Sequence, residues 1–310
     1  MATEVPDGRR CYVISITPFT EGGDVDENAY RAHLQRMGQA GIGVYVGGGG
    51  SGEGYTLTVD ETVRLQEIAV AELGGRVPVR AMGVEPRTAA EMIAFVARAR
   101  GAGVDAVQVY SLDVGHGHAP TPAELEAYFG EVLASTDLPC VISTHQSVGY
   151  KVPVRLMESL AGRFDHLVGI NCSQQDLEYL ASLVEAVGER LSIHVGGPMQ
   201  ALTALSFGAT GFLSSEANLA PNLCAAVGRA YDEGDTATMM RAFATVVRLS
   251  AALYGQGGIR ATKAVLGRLG LPGGVPRRPR LPLDDQLAIE LRSRIADLGV
   301  DGWEPWGQLA

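Results

Sequence analysis

Two short stretches bring together side chains with chemistry in them. DVGHGHAP, residues 113–120, sets His116 and His118 at alternate positions, and STH, residues 143–145, sets Ser143 and His145 two apart. In extended backbone, residues two apart project to the same side. Imidazoles, with an ordinary pKa of about 6.5, suit general acid and base work near neutrality. The same three histidines, joined by Asp113 or Glu216, would also make a ligand set for a divalent metal that polarises a carbonyl. Taken singly, a loop histidine is more often simply solvated or hydrogen-bonded, so it is their joint placement that points to function.

A second feature is GGGGSGEGYTLT, residues 47–58. It follows GVYV (43–46) and precedes a helical pattern that begins at Val59, so four consecutive glycines stand where a strand hands over to a helix. Glycine runs are commonly flexible connections. A phosphate-binding G-x-x-x-x-G-K-[ST] loop is excluded, because no lysine follows. The stretch is then either a flexible connection or, at the mouth of a barrel, a cradle for a small substrate in which Gly49, Gly50, Ser51 and Gly52 let backbone approach the ligand closely.

The elements that must position these residues alternate along the chain. Strand-like runs at 11–17, 43–46, 76–82, 106–110, 140–144, 167–171, 191–195 and 211–214 each precede a helical pattern. Those patterns cover 26–40, 59–73, 88–102, 121–135, 154–161, 176–187, 199–207 and 220–233. Short strands apolar enough to be buried on both faces, in eight β-then-α units, predict a (β/α)8 TIM barrel. Additional C-terminal helices are predicted at 235–254, 259–269 and 284–298, around a Pro/Gly/Arg-rich stretch at 272–282. The expected organisation is a barrel over residues 1–233 and a helical extension over 234–310, packed on the barrel or on a neighbouring subunit.

Barrel sites are built at the C-terminal ends of the strands. That rule adds Asn171 after strand six, His194 on strand seven and Glu216 after strand eight to the candidates. Cys172, next to an inward Asn171, is expected to point outward as a buried thiol. Glu216 is either a surface charge or a base whose pKa burial raises.

With 46% hydrophobic and 19% charged residues and a net charge of −10, the chain reads as an ordinary soluble protein with no nucleic-acid or anionic-membrane surface. No apolar stretch reaches the ~18 residues of a membrane span. The N-terminus shows no apolar signal region, so a cytoplasmic location is expected. The four cysteines are widely spaced and read as reduced thiols. Lysine is scarce, since only Lys151 and Lys263 occur.

Several motifs, in order, resemble the dihydrodipicolinate synthase / N-acetylneuraminate lyase family. Ile16-Thr17-Pro18-Phe19 followed by Gly23-Asp24-Val25-Asp26 is similar to that family's TPF…G-x-[IV]-D opening. Residues 49–53 with Tyr55-Thr56-Leu57 resemble its G-T-T-G-E…L loop, and Ser214…Ala217-Asn218 with Ala220-Pro221 resembles its S-x-x-A-N-x-x-P segment. The resemblance implies a barrel lyase, a small-molecule substrate, no cofactor and a homotetramer or homodimer. It also implies a Schiff-base lysine in a G-[IV]-K segment, and here that segment reads Gly169-Ile170-Asn171. The tyrosine the resemblance places on strand five aligns with Ser143, a G-R-T-G turn with residues 146–149, and the paired threonines with Gly50 and Ser51.

An amide cannot form an imine. The sequence therefore predicts a lyase or aldolase-like enzyme acting next to the carbonyl of a small oxo-acid-like substrate without a Schiff base. His145 is the expected acid/base, assisted by His116 or His118, with Asn171 and the loop backbone donating to an oxyanion. Glu216 is a further catalytic candidate, and Gly49, Gly50, Ser51, Gly52, Ser143 and His194 are expected to bind substrate. The competing expectations are a metal-assisted lyase using His116, His118 and His145, and a non-catalytic ligand-binding homologue.

Overall fold

A computed structural model describes residues 9–145 and 148–306. The departure from the family turn at Gln146 and Ser147, and the extreme ends of both expected domains, therefore lie outside the described residues. The strands are β1 (Cys11–Ile14), β2 (Gly43–Val46), β3 (Val79–Ala81), β4 (Ala106–Val109), β5 (Cys140–Ser143), β6 (Leu167–Cys172), β7 (Ser192–Gly196) and β8 (Gly211–Leu213). They close into a barrel in chain order. The helices that follow them in turn are α1 (Glu27–Ala40), α2 (Val59–Leu73), α3 (Ala89–Gly101), α4 (Pro122–Ala134), α5 (Val154–Arg163), α6 (Leu177–Val187), α7 (Ala201–Ser206) and α8 (Pro221–Asp232). The C-terminal helices are α9 (Thr236–Tyr254), α10 (Ile259–Arg268) and α11 (Asp285–Asp297). The (β/α)8 barrel with additional C-terminal helices is thus the observed fold.

Local chemistry sets the element ends. Asp26 caps α1 by accepting from the Ala29 N–H (2.9 Å), and Gly41, at φ 72°, ends it. Thr58 and Glu61 form a capping box that starts α2, and Thr121 and Glu124 form another at α4, whose first residue is Pro122. Two strands are shorter than their apolar runs. β3 begins only after Pro78, which has no N–H to donate to a ladder. β1 stops at Ile14, and beyond it the Ile16 N–H turns to the side chain of Asn218 (2.9 Å). The helix expected at 199–207 is one 3-10 turn, Pro198–Gln200, followed by the short α7.

Two compact units are distinguished in the chain. One comprises residues 80–213 with the segment ending at Arg10, and the other comprises 11–79 with residues 214 onward. In the first, β4, β5 and β8 are buried along their whole length, as strands covered on both faces must be. Registered residues on its neighbouring parallel strands share a face: Ser143 is level with Asn171, and Asn171 with His194. In the second unit α8 packs on α9, and α10 on α11. The Tyr12 and Tyr45 rings stack at a tilt, 5.3 Å apart, between β1 and β2.

Candidate active site

The first unit turns polar side chains toward one another from the middle and ends of its strands. Asn171, on β6, is 2% exposed, and its Nδ2 donates to Oε1 of Gln108 on β4 at 2.5 Å. Its Oδ1 is buried and has no hydrogen-bond partner among the described residues. Ser143, level with it on β5, is also buried, and its carbonyl accepts from the Ser111 hydroxyl (2.8 Å). His194 is 1% exposed with Nε2 on the Arg9 carbonyl at 2.8 Å. Burial, then the charges of Arg80 and Arg10, lower its pKa to about 3, so it is a neutral imidazole. Cys172, next along β6, is fully buried, and burial raises its thiol pKa.

His145 stands two residues past Ser143, beyond the end of β5, and is partly exposed. Its Nδ1 lies 3.0 Å from Oε1 of Glu85, in the loop that follows β3. The adjoining Pro86 carbonyl accepts from the Asp113 N–H (2.8 Å), so the loops after β3 and β4 are tied together beside the imidazole's partner. A carboxylate at Nδ1 favours the tautomer with the proton on that nitrogen and fixes the orientation of the ring.

The histidines of the 113–120 loop are placed otherwise than their spacing suggests. Gly117 N–H closes on the Val114 carbonyl (2.6 Å), and Gly115 takes φ 52°, so this stretch is a turn and not extended chain. His116 and His118 are both solvent-exposed on it. Their alternate spacing therefore does not set them on one side in the way extended backbone would. Among the described residues no group of three or more His, Cys, Asp and Glu side chains is arranged to hold a metal ion, His116, His118 and His145 included.

The second unit contains the glycine-rich loop, which is a packed structure. The Gly54 N–H donates to the Gly48 carbonyl (3.0 Å), Glu53 N–H to Gly50 (3.1 Å), and the Thr17 hydroxyl to the Gly52 carbonyl (2.8 Å). A Cβ on Gly54 would lie 2.2 Å from the Gly47 oxygen, so glycine is needed there. Gly50 is exposed and Gly49 half-buried, whereas Ser51 and Gly52 are buried. Glu53 adopts φ 52°, a left-handed conformation uncommon outside glycine. Its side chain pairs with Lys263 of α10 and accepts from the Arg277 N–H (3.3 Å). Lys263 also donates to the carbonyls of Thr17 (2.8 Å) and Val275 (3.0 Å), which uses all three of its hydrogens.

Glu216 is fully buried in a 3-10 turn after β8. One oxygen accepts from the Ser214 hydroxyl (2.7 Å), which also touches the Cys224 sulfur (3.4 Å), and the other has no partner among the described residues. Burial, and secondarily this carboxylate, raises the Cys11 thiol pKa. Two functional candidates, Glu85 and Gln108, were not among those expected from the sequence. Glu85 follows a strand end, where the barrel rule looks, and Gln108 is the single polar residue in the apolar run AVQVY.

The fold is a (β/α)8 barrel, and this arrangement sets an imidazole–carboxylate pair beyond the end of β5 and a buried amide on β6. The profile of the Dihydrodipicolinate synthetase family matches residues 8–298. The 4-hydroxy-tetrahydrodipicolinate synthase of Phenylobacterium zucineum is 30% identical over 292 residues, 92% of this chain and 95% of the relative. A Halobacterium salinarum protein described as an uncharacterized DapA-like lyase is 31% identical over 291 residues, 92% of each. The structure of the 4-hydroxy-tetrahydrodipicolinate synthase from Methylacidiphilum fumariolicum SolV superposes with a TM-score of 0.85 at 27% identity, covering 96% of this chain and 99% of that one. The chain belongs to the dihydrodipicolinate synthetase family of lyases. Among the described residues no helix is long and apolar enough to cross a membrane.

Two outcomes follow for stability. Lys263→Met leaves the buried Glu53 carboxylate uncompensated and is expected to cost about 3–5 kcal/mol in urea unfolding, with Lys263→Met/Glu53→Gln recovering part of it; a loss under about 1 kcal/mol would contradict this account of the pair. His33 and His194 are both neutral in the fold, with pKa lowered to about 3 chiefly by burial. Unfolded, each titrates near ~6.5, so the unfolded chain binds more protons in between. The stability these two groups permit is complete above about pH 6.5 and is lost as the pH falls toward 3, and His194→Gln should flatten that slope in unfolding series between about pH 7 and about pH 4.5.

Proposed function

We propose that this protein is an aldolase-like lyase that makes or breaks a bond next to the carbonyl of a small oxo-acid-like substrate by acid/base catalysis, without a lysine imine. The observation that carries this is Asn171. The motif resemblance expects the Schiff-base lysine at this end of β6, and the residue there is a buried amide held by Gln108. Its nitrogen lone pair is delocalised into the carbonyl, so it is not a nucleophile. Neither lysine is an obvious substitute. Lys263 has all its hydrogens engaged inside the fold, and Lys151 is half-exposed in an ion pair with Asp176.

The imidazole of His145, oriented by Glu85, supplies the acid/base. Nε2 removes a proton α to the substrate carbonyl, the electron pair moves to the carbonyl oxygen, and reprotonation or attack on a second carbonyl completes the turnover. The second Nδ2 hydrogen of Asn171 and the Ser143 hydroxyl are proposed to orient the substrate. Gly49, Gly50, Ser51 and Gly52 remain substrate contacts on the strength of the loop's resemblance. His116 and His118 serve as auxiliary proton carriers on an exposed turn. His194, neutral and bonded to Arg9, supports the site from within the sheet, and Glu216 is a further catalytic candidate in the turn that follows β8 in sequence. The proposal extends to a cytoplasmic homodimer or homotetramer that needs no cofactor, with residues 234–310 as a helical extension of the barrel.

The test is proton exchange α to the carbonyl of a panel of 2-oxo acids in D2O, followed by NMR. His145→Ala should slow exchange by ~10²–10⁴, and Glu85→Gln by a smaller factor with a displaced pH profile. Exchange unchanged in His145→Ala would remove that residue from the mechanism.

A further inference from the structure

α8 opens on Pro221 with Ala220 at its N-cap, so no side chain of its own caps it and the Leu223 N–H must find an acceptor elsewhere. Glu304 supplies it from 81 positions later in the chain. One of its oxygens accepts from the Leu223 N–H (2.9 Å) and the other from Asn222 Nδ2 (3.0 Å). Burial raises the pKa of this carboxylate, against the pull of these two hydrogen bonds and of the Arg36 charge. A helix N-terminus is where a buried anion is best tolerated. The segment on either side of Glu304 is seated as well. The Trp303 ring lies 6.0 Å from the Arg241 guanidinium of α9, and the buried Trp306 ring 5.4 Å from that of Arg292 on α11.

What this contact holds is the turn after β8. The 3-10 turn Ser215–Asn218 runs straight into α8, and the Ala220 N–H donates back to the Glu216 carbonyl (2.9 Å). Arg36 of α1 donates to the carbonyls of Asn218 (3.1 Å) and Leu219 (2.8 Å). Asn218 fastens the turn to the chain leaving β1, donating to the Ile14 carbonyl (3.0 Å) and accepting from the Ile16 N–H (2.9 Å). Glu216, Ala217 and Asn218 are buried, whereas Ser215 is half-buried and meets the exposed Tyr254 hydroxyl at 2.9 Å. Ser215 is therefore the group this strand end offers outward, and barrel sites are built at such ends. We propose that residues 303–306 are a latch on the turn after β8, and that Glu304 is a positioning residue that sets where Ser215 stands toward substrate. A cap at position 220 would secure α8 alone; a cap from position 304 makes the order of the turn depend on whether the C-terminal segment is seated. The positioning role rests on the lyase proposed above, and the latch does not.

Two readouts on the full chain, Glu304→Ala and Glu304→Gln test this: amide hydrogen exchange by mass spectrometry, and proton exchange α to the carbonyl of pyruvate, 2-oxobutyrate and 2-oxoglutarate. In Glu304→Ala, deuterium uptake over residues 215–223 should quicken by about tenfold or more while α2 stays within about twofold of wild type. Glu304→Gln keeps one acceptor for the Leu223 N–H and should fall between; if the alanine variant does not fold, it decides by the same readouts. KM for the oxo acid should rise about tenfold with kcat within about threefold, the mark of a displaced binding group and not of general loosening. Unchanged uptake over 215–223, or an equal rise in α2, would overturn the latch. Faster uptake there with KM unmoved would overturn the positioning role and leave the lyase reading standing. A wild type that exchanges none of the three acids would overturn that reading and the positioning role with it, while the amide exchange still decides the latch.

Discussion

The ammonium group of Lys263 has three hydrogens, and all of them end inside the second unit: on Glu53, on the Thr17 carbonyl and on the Val275 carbonyl. Four separate stretches are tied at one atom by these bonds: the chain leaving β1, the glycine-rich loop, α10 and the segment after it. Phe19 lies against the same cation, 4.8 Å from ring centre to nitrogen, and Arg277 stacks on its ring at 4.4 Å. A buried pair of this kind stabilises less by its own attraction than by the penalty of breaking it. It therefore acts as a specificity device, holding Glu53 in a left-handed conformation that the loop would otherwise resist.

The same constraint bears on chemistry. A chain with two lysines has one of them fixed in its architecture, and in the first unit the position from which the family resemblance expects an imine is filled by an amide. On the function proposed above, the His145–Glu85 pair moves protons there and Asn171, fixed by Gln108, orients a ligand. Catalysis by hydrogen bonds in place of a covalent intermediate, as proposed above, relies on preorganised dipoles, which work best where water is excluded and the donors are already aimed. Asn171 at 2% exposure and Gln108 at 2% meet that condition, whereas the partly exposed His145 has access to solvent protons.

Much of the fold was legible. Short apolar runs gave eight strands, and the helical patterns expected at 26–40 and 59–73 match α1 and α2, whose starts the structure shows capped by Asp26 and Thr58. The glycine loop's packing was not, because it depends on Glu53 and Lys263 meeting from 210 positions apart. The HGH stretch misled for a local reason: glycines at 115 and 117 permit a turn as readily as an extended strand. The orientation of Glu216 toward Ser214 follows from a 3-10 turn that no periodicity announces. Glu85 escaped notice because a carboxylate in a loop acquires meaning only beside the imidazole it meets across the sheet.

Enolate chemistry without an imine is tested by intact mass spectrometry after borohydride treatment. The protein is incubated with a 2-oxo acid whose α-protons it exchanges, reduced with borohydride, weighed and assayed again. An unaltered mass and retained exchange are expected, because no lysine forms an imine to be reduced. An adduct of the substrate's mass on Lys151 or Lys263, with exchange lost, would contradict it.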